Sequence, residues 1–550
     1  MAQPELSASN GPSNSIARRN WWLDSDIGLR TLYASPCPRP SAKAIDSDSK
    51  RAKVIDRESD EQPNPKYASM IATDAPRSFY FYDLETSGID PRWHRVMQFA
   101  GLRTNVDLEE LGDELCTYVK LPIDVLPDPE SCRITGLTPQ RVNREGMEEF
   151  EAFAAIDAAL SVAGTCTVGF NNLRFDDEFL RFGFYRHFMD PYAREFRQGN
   201  SRWDVIDLLR ATAALRPEGI SWPEQDGLPS FRLELFTAAN AIDHGQAHDA
   251  LSDVRATIAT ARLLRSAQPR LFDFYLGLRS KGAVLDILKP AGGKPCVHVS
   301  GRLPRERCGL SVVLPVAVRR QNPNSVIVID LARDFAPFAE LQVEELRELL
   351  FSPGDHPRPG IKEIRVNRCP FVAPLNVLRR VDQQRLDIDL AAALAQAKVL
   401  ASDAGLRARL LDVFERPFEG EVDDVDTQLY AGFLSDADRD RSARLQGSIR
   451  RGERPLEAAP FDDARLAELL FRLRARRHCS DMPLTREEQS RWRAEVARKL
   501  GSPRGGLGLE EYRRGVAELA GVSGSEELAG ELSAHADTVA DWLAGGTTDD

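Results

Sequence analysis

The 550-residue chain predicts an α/β protein of several domains, in which a segment of mixed strands and helices precedes a β-rich segment and then a helical one. An aromatic, strand-forming run begins at Ser78, and further strand-like runs follow to residue 121. β-branched runs separated by Gly, Pro and Asn fill residues 295–331, and helical patterns dominate after residue 422. Because domains usually span about 100–200 residues, we expect three or four of them.

The first strand, in the stretch SFYFYDLETSG from Ser78 to Gly88, ends in two acids. Side chains alternate faces along a strand, so Asp83 and Glu85 point to the same side and converge. Neighbouring buried carboxylates repel each other unless a cation lies between them, and hard oxygen ligands suit Mg²⁺ or Mn²⁺. The motif therefore predicts a divalent metal site, although an isolated Asp-x-Glu is more often only a polar strand end.

A third acid is expected where a second buried strand meets a helix. Apolar residues run nearly continuously through TCTVGFNN (165–172), and the helix that follows begins with Asp176, Asp177 and Glu178. Negative charge is favoured near a helix N-terminus, so one of these acids could serve only as a partner of the helix dipole. Asp176 is our candidate for the metal site.

The last piece is a helix predicted in QAHDALSDVRATIATARLL (246–264), with Asp249 as its N-cap. His248 and Asp253 are five residues apart, which is about 140° on a helix, so they cannot share one face. We expect His248 on the loop before the helix and Asp253 in its second turn, both approaching one site. Without the acids, such a histidine would be interpreted as a solvated or capping residue.

Composition narrows the class of protein. Hydrophobic residues make up 42% and charged residues 28% of the chain, and no apolar run approaches the roughly 20 residues that a membrane-spanning helix needs. The eight cysteines are scattered without a Cys-x-x-Cys pair, so neither a zinc site nor a disulfide framework is indicated, and we expect a cytoplasmic protein. The net charge of -12 argues against polyanion binding by the whole molecule, although a local basic groove can still bind nucleic acid.

Residues 1–76, rich in Ser, Pro, Asn, Asp and Arg, predict a disordered extension. Met70 lies nine residues before Phe79, which gives the hypothesis that translation starts there. The pattern predicts domains over residues 77–266, 269–421 and 424–545. Beyond the first of these domains we predict the strands Pro295–Val299, Leu310–Val318 and Ser325–Leu331. We then predict the helices Val343–Leu350, Ile388–Val413, Arg465–Arg477, Arg486–Leu500 and Glu510–Leu519. The last three helices carry charge runs that are typical of solvated faces.

The three acidic motifs, in this order, resemble those of the DEDDh exonuclease superfamily: Asp83-x-Glu85, Asn172-x-x-Phe175-Asp176 and His248-(four residues)-Asp253. Longer stretches resemble the bacterial exodeoxyribonuclease I family, among them GFNNLRFDDEF, GLPSFRLE, HVSG, NRCPFVAP and LYAGFLSDADR. The resemblance covers about residues 78–540. It implies a ribonuclease H-like exonuclease domain with a mixed sheet flanked by helices, followed by an SH3-like domain and a helical C-terminal domain.

The activity that this resemblance implies is 3′-to-5′ hydrolysis of single-stranded DNA to 5′-mononucleotides during DNA repair and recombination. Four carboxylates can hold two divalent ions roughly 4 Å apart. Asp83 would bridge both ions, and Glu85, Asp176 and Asp253 would complete the ligand set. His248, with an ordinary pKa near 6.5, suits the removal of a proton from water at neutral pH.

A single-strand exonuclease also needs cationic and aromatic side chains that follow phosphates and stack on bases. We expect about half of the candidates between the third acid and the histidine to contact no DNA, and the resemblance favours Arg181, Tyr192, Phe196 and Arg232. It also implies that Glu85 contacts the terminal nucleotide. The candidates are Arg181, Tyr192, Phe196, Arg202, Trp203, Arg210, Arg216, Trp222 and Arg232.

Two other functions compete with this interpretation. The same motifs occur in RNA-trimming exoribonucleases, and no residue visibly recognises a 2′-hydroxyl. A catalytically dead binding module is disfavoured because all four acids and the histidine are present. The resemblance further implies a monomer that docks the acidic C-terminal tail of single-stranded DNA-binding protein, for which Arg216, Arg319 and Arg320 are candidates.

Overall fold

The computed structural model describes residues 75–245, 249–290, 293–353, 357–415, 424–451, 461–477, 483–501 and 506–545. Nearly all of the predicted N-terminal extension, Met70 included, lies outside these ranges, and so does His248. Within the described ranges, no helix combines the length and the apolar character needed to cross a bilayer.

The first domain is built on a mixed five-stranded sheet with the strand order β3-β2-β1-β4-β5. β1 pairs antiparallel with β2 and parallel with β4, so it lies at the centre of the sheet. The strands are β1 (Ser78–Thr86), β2 (Val96–Thr104), β3 (Glu110–Tyr118), β4 (Thr165–Gly169) and β5 (Ser201–Asp204), with a short hairpin of β6 (Glu224–Gln225) and β7 (Leu228–Pro229) further along the chain.

Helices cover both faces of this sheet. They are α1 (Pro129–Thr135), α2 (Pro139–Glu145), α3 (Glu149–Leu160), α4 (Asp176–Arg186), α5 (Val205–Leu215), α6 (Leu233–Ala239), α7 (Ala250–Ala267) and α8 (Pro269–Gly277). The next helix, α9 (Lys281–Leu288), packs against a strand of the second domain. α7 packs against β1 and β2, which brings the predicted fourth acid to the central strand.

The second domain contains an antiparallel five-stranded sheet with the order β11-β10-β9-β8-β12. Its strands are β8 (Cys296–Val299), β9 (Leu310–Arg319), β10 (Asn322–Asp330), β11 (Ile361–Arg365) and β12 (Phe371–Pro374), and its helices are α10 (Val343–Phe351), α11 (Arg380–Arg385), α12 (Leu390–Ser402) and α13 (Leu406–Phe414). The described part of the third domain is helical, with a 3-10 turn (Val425–Tyr430) followed by α14 (Asp436–Arg450), α15 (Ala464–Arg477), α16 (Arg486–Gly501), α17 (Leu509–Leu519) and α18 (Glu526–Leu543).

The alternation of side chains along β1 separates two cores. Phe79 and Phe81 belong to an apolar cluster that continues into the strands of the second domain. Tyr80 and Tyr82 face the other way, into a cluster that includes Leu466 and other apolar residues of the third domain. The second and third domains therefore pack on opposite faces of the sheet, and burial of these large side chains stabilises both contacts.

The predicted elements are largely confirmed, with three differences. The single helix predicted over residues 388–413 is two helices, because the Asp403 side chain caps a turn by accepting from the backbone amides of Gly405 and Leu406. The third strand, predicted over residues 114–121, begins at Glu110 and ends at Tyr118. The predicted position of the fourth acid in the second helical turn was wrong, because it lies in the first turn of α7.

Candidate active site

Asp83 and Glu85 lie at the C-terminal end of β1, on the same face of the strand as Phe79 and Phe81. The ladder with β2 runs regularly from Phe79 to Glu85 and shifts only after it, so the period of two holds through both acids. A ligand oxygen of Asp83, one of Glu85 and one of Asp253 all lie within 4.8 Å of one another. The predicted convergence of the strand acids is therefore present, and α7 adds a third carboxylate to it.

Asp176 is not one of the three residues whose oxygens lie within 4.8 Å of one another, but it lies near enough to raise the pKa of Asp83 and of Glu85, and it follows a tight turn after β4. Asn171 adopts a left-handed conformation with φ of 68°, which Asn tolerates better than most residues, and its amide donates to Asp204 Oδ1 at 2.9 Å. The carbonyl of Asn172 accepts the amide of Asp177 at 2.9 Å, which starts α4. The amide of Asp176 itself and that of Leu84, between the two strand acids, lie near the Asp176 carboxylate and oppose the rise of its pKa.

Asp253 is positioned by the start of α7. Asp249 caps this helix as predicted, since its side chain accepts from the Ser252 amide at 3.2 Å. Its other carboxylate oxygen accepts from Gln98 Nε2 on β2 at 3.4 Å. The cap therefore also ties the helix end to the sheet, and it sets Asp253 beside the strand acids.

The electrostatics of the cluster favour a bound cation. Burial, and then the neighbouring Asp176 carboxylate, hold the pKa of Asp83 well above its ordinary value, and burial followed by Asp253 does the same to the pKa of Glu85. Burial raises the pKa of Asp176 to about 8. Asp176 Oδ1 is buried without a hydrogen-bond partner in the described part of the chain. An oxygen-only set of repelling carboxylates with an unpartnered oxygen fits a hard divalent cation.

The contacts of Asp176 and Asp177 show that these two acids of α4 have different roles. Asp177 is fully buried and accepts from Arg194 at 2.5 Å, from Arg202 at 2.6 Å and from the Tyr82 hydroxyl at 2.7 Å. These partners hold the pKa of Asp177 below its ordinary value although burial raises it. Asp177 is therefore a structural anion, and Asp176 alone turns toward the acids of β1.

Sequence reasoning missed a histidine that touches the site. His244 Nε2 makes a hydrogen bond of 2.6 Å with Asp253 Oδ1, and His244 Nδ1 makes one of 2.9 Å with the Thr237 hydroxyl on α6. A second residue bonded to a metal-ligating carboxylate commonly fixes its orientation. The only signal in the sequence is that His244 stands four residues before His248, and spacing alone did not single it out.

The cationic and aromatic candidates for DNA binding fall into two groups. Arg181 is buried between Glu178 and Glu195, with its guanidinium over the Tyr192 ring, while Phe196 is 63% exposed. These residues lie in and just beyond α4, the helix that begins with Asp176. Phe196 is therefore the aromatic candidate in this group that offers an open face for stacking.

The remaining candidates lie further along the chain. Arg210 is buried and donates to Asp207, and Arg216 donates to backbone carbonyls, with Asp382 3.6 Å away. Arg232 is exposed and paired with Glu234. Two other candidates are structural in their contacts. Arg202 is buried against Asp177, and Trp203 is fully buried between rings of α8. Trp222 packs on Phe236.

Family models match three consecutive parts of the chain. A model described as "Exonuclease" matches residues 80–261, "Exonuclease I SH3-like domain" matches residues 279–416, and "Exonuclease I C-terminal domain" matches residues 423–537. Together they account for most of the chain beyond the N-terminal extension.

Similar proteins match most of this chain and share its fold. The chain is 42% identical to exodeoxyribonuclease I of Escherichia coli over 424 residues, which is 76% of this chain and 88% of that protein. It is 40% identical to the Haemophilus influenzae protein of the same name over 77% of this chain and 90% of the relative. Exonuclease I from Methylocaldum szegediense superposes with a TM-score of 0.78 at 42% identity, covering 84% of this chain and 99% of the other.

The chain is also similar to structures of E. coli exonuclease I that contain bound DNA or zinc. E. coli exonuclease I in complex with a dA16 oligonucleotide superposes with a TM-score of 0.78 at 39% identity, covering 85% of this chain and 99% of the other. The zinc-bound form of the E. coli complex with single-stranded DNA gives a TM-score of 0.79 at 39% identity, covering 84% and 100%. With the acidic cluster in place, this chain belongs to the exodeoxyribonuclease I family of the DEDDh superfamily and is a 3′-to-5′ exodeoxyribonuclease.

Proposed function

We propose that this exonuclease uses Asp83, Glu85, Asp176 and Asp253 to hold two Mg²⁺ ions and hydrolyse the 3′-terminal phosphodiester of single-stranded DNA. The observation that carries the proposal is the convergence of ligand oxygens from β1 and α7 within 4.8 Å. Bound there, the ions would stabilise the charge on the attacking water and on the leaving 3′ oxygen. Mn²⁺ has the same preference for oxygen ligands and would substitute.

The chain's own residues supply orientation and proton transfer. We assign His248, which lies outside the described residues, as the base that takes the proton of the attacking water. The support for this role is its spacing of five residues from Asp253, together with an ordinary imidazole pKa near 6.5. Glu85, buried beside Asp83, is assigned a further contact with the terminal nucleotide.

Binding of the strand is assigned to the cationic and aromatic side chains beyond α4. Phe196, the exposed aromatic, would stack on a base, which typically contributes about 1–3 kcal/mol per base. Tyr192, Arg210, Arg216 and Arg232 would complete the surface. Arg181 would act through its hold on Tyr192, because both of its sides are already occupied by carboxylates.

The proposal also covers the protein partner, the oligomeric state, the cellular location and the domain limits. Arg216 lies near Arg379, its side chain is 31% exposed, and its distance of 3.6 Å from the Asp382 carboxylate makes a weak ion pair, so it suits the acidic tail of single-stranded DNA-binding protein. Arg319 and Arg320 suit it less, since both pair with acids of this chain. We assign a monomer acting in the cytoplasm, with domain limits at residues 77–266, 269–421 and 424–545.

The RNA-trimming alternative is not favoured, because the similar proteins are named as deoxyribonucleases and solved with DNA oligonucleotides. The deciding experiment compares one labelled sequence as single-stranded DNA, duplex DNA and RNA, with Mg²⁺ or a chelator. We expect Mg²⁺-dependent loss of nucleotides from the 3′ end of single-stranded DNA, and no cleavage by the Asp83→Ala variant. Faster loss of RNA, or an active Asp83→Ala enzyme, would refute the assignment.

A further inference from the structure

Three consecutive carboxylates in the first turn of α4 point into three different environments, because successive residues on a helix are about 100° apart. Asp176 lies against β1, near the Leu84 amide. Asp177 lies among the arginines of the first domain. Glu178 turns away from both, toward the other two domains.

Glu178 joins all three domains through one carboxylate. Its Oε1 accepts from Arg181 of α4 at 2.8 Å and from Arg368, in the second domain, at 2.5 Å. Its Oε2 accepts from the hydroxyl of Tyr430, at the start of the third domain, at 2.5 Å. Arg368 and Tyr430 are 190 and 252 residues further along the chain, so these contacts exist only when the domains are assembled.

The surroundings hold the junction, which consists of Glu178 with Arg181, Arg368 and Tyr430, in one geometry. Glu178 is 3% exposed, and although burial raises its pKa, Arg181 and Arg368 together with the Tyr430 hydroxyl hold the pKa below its ordinary value. The Tyr430 ring also packs edge-on against Phe182, one turn further along α4, with ring centroids 5.7 Å apart. A buried, charge-assisted set of hydrogen bonds of this kind keeps one geometry.

We propose that Glu178 is a positioning residue through which the second and third domains hold the first turn of α4 and so fix Asp176 against Asp83 and Glu85. The inference rests on the proposed role of Asp176 as a metal ligand. It assigns the added domains a part in building the metal site of the first domain. Release of either contact lets the helix start shift, which weakens divalent metal binding.

The variant that perturbs this junction least is Tyr430→Phe, which removes a single oxygen and keeps the ring on Phe182. Arg368→Met removes the contact with the second domain, and Glu178→Gln neutralises the junction. A matched control is Tyr185→Phe, because the Tyr185 hydroxyl also binds the third domain, at the Val425 carbonyl 3.1 Å away. Tyr185 is nine residues beyond Asp176 on the same helix, about 13 Å along its axis.

The measurement is Mn²⁺ binding to the full-length protein without DNA, followed by electron paramagnetic resonance, with thermal unfolding measured in parallel. We expect Tyr430→Phe and Arg368→Met each to weaken Mn²⁺ binding by about tenfold, as is usual for residues that orient metal ligands, with Glu178→Gln weakened at least as much. Tyr185→Phe should lose a similar amount of thermal stability and bind Mn²⁺ like the parent.

Asp176→Asn separates the two ways in which the idea could fail. If Asp176→Asn loses Mn²⁺ affinity while Tyr430→Phe and Arg368→Met bind like the parent, Glu178 has no positioning role and the ligand set stands. If Asp176→Asn itself binds Mn²⁺ like the parent, the ligand set is wrong and the inference falls with it. Equal weakening in Tyr185→Phe would also overturn the inference, because any contact between the domains would then have the same effect.

Discussion

Replacing Asp176 with asparagine should make the metal-free protein more stable while abolishing its activity. Burial raises the pKa of Asp176 from 3.8 to about 8, so the folded protein holds a proton that the unfolded chain has already lost at neutral pH. An acid whose folded pKa is raised destabilises the fold increasingly as pH rises from its unfolded pKa to its folded pKa. Asparagine has no such penalty.

The magnitude follows from the size of the shift. At about 1.36 kcal/mol per pKa unit, the penalty is about 2 kcal/mol at pH 5, about 4 kcal/mol at pH 7, and constant above about pH 8. Asparagine keeps an oxygen that can accept from the Leu84 amide, and its amide group can donate to the neighbouring Asp83 carboxylate. Most of the penalty should therefore be recovered by Asp176→Asn at neutral pH.

The assay is thermal unfolding of parent and variant in a chelator, over a pH series from about 5 to 8. We expect the unfolding temperature of Asp176→Asn to exceed that of the parent, with a difference that grows as pH rises. Added Mg²⁺ should reverse the order, since the parent regains the cation that compensates its carboxylates. An Asp176→Asn protein that unfolds at or below the parent temperature in chelator at pH 7 would refute the electrostatic reasoning.

Three further predictions concern other groups. His244→Ala should weaken Mn²⁺ binding by about 10–100-fold, because Asp253 loses the partner that orients it; unchanged binding in a titration would exclude that role. Asp426→Ala should lower the free energy of unfolding by about 3–5 kcal/mol, since it leaves the buried Arg472 without one of its carboxylates, and a loss below about 1 kcal/mol in urea unfolding would contradict this. Burial lowers the pKa of His535 to about 4, so the unfolded chain binds the extra proton between about pH 6.5 and 4 and stability is lost as pH falls through that window. His535→Leu should remove this loss, so that its free energy of unfolding in urea at pH 5 exceeds that of the parent by about 2 kcal/mol. An equal pH dependence of the two proteins would disprove this.

The parts of the site that follow local rules could be predicted from the sequence. Side-chain alternation placed Asp83 and Glu85 on one face of β1, and the cap preference of aspartate located the start of α7 at Asp249. Both rules act within a few residues of the chain, so periodicity and spacing were sufficient to find them.

The parts that depend on distant contacts could not be predicted. The charge runs of the C-terminal helices were expected to be solvated, yet Arg472 is buried and the Arg476 side chain is only 9% exposed, because Asp426 and Asp124 accept from them. Glu178 shows the same limit, since its partners come from two other domains. The sequence of one helix does not distinguish an arginine that is solvated from one that pairs with a carboxylate distant in the chain.

The most direct test of the account is anomalous diffraction from crystals of the protein grown with Mn²⁺ and a single-stranded oligonucleotide. We expect anomalous peaks within about 2.2 Å of carboxylate oxygens of Asp83, Glu85, Asp176 and Asp253, next to the 3′ end of the strand. Peaks elsewhere, in crystals that still degrade the oligonucleotide, would contradict the proposed active site.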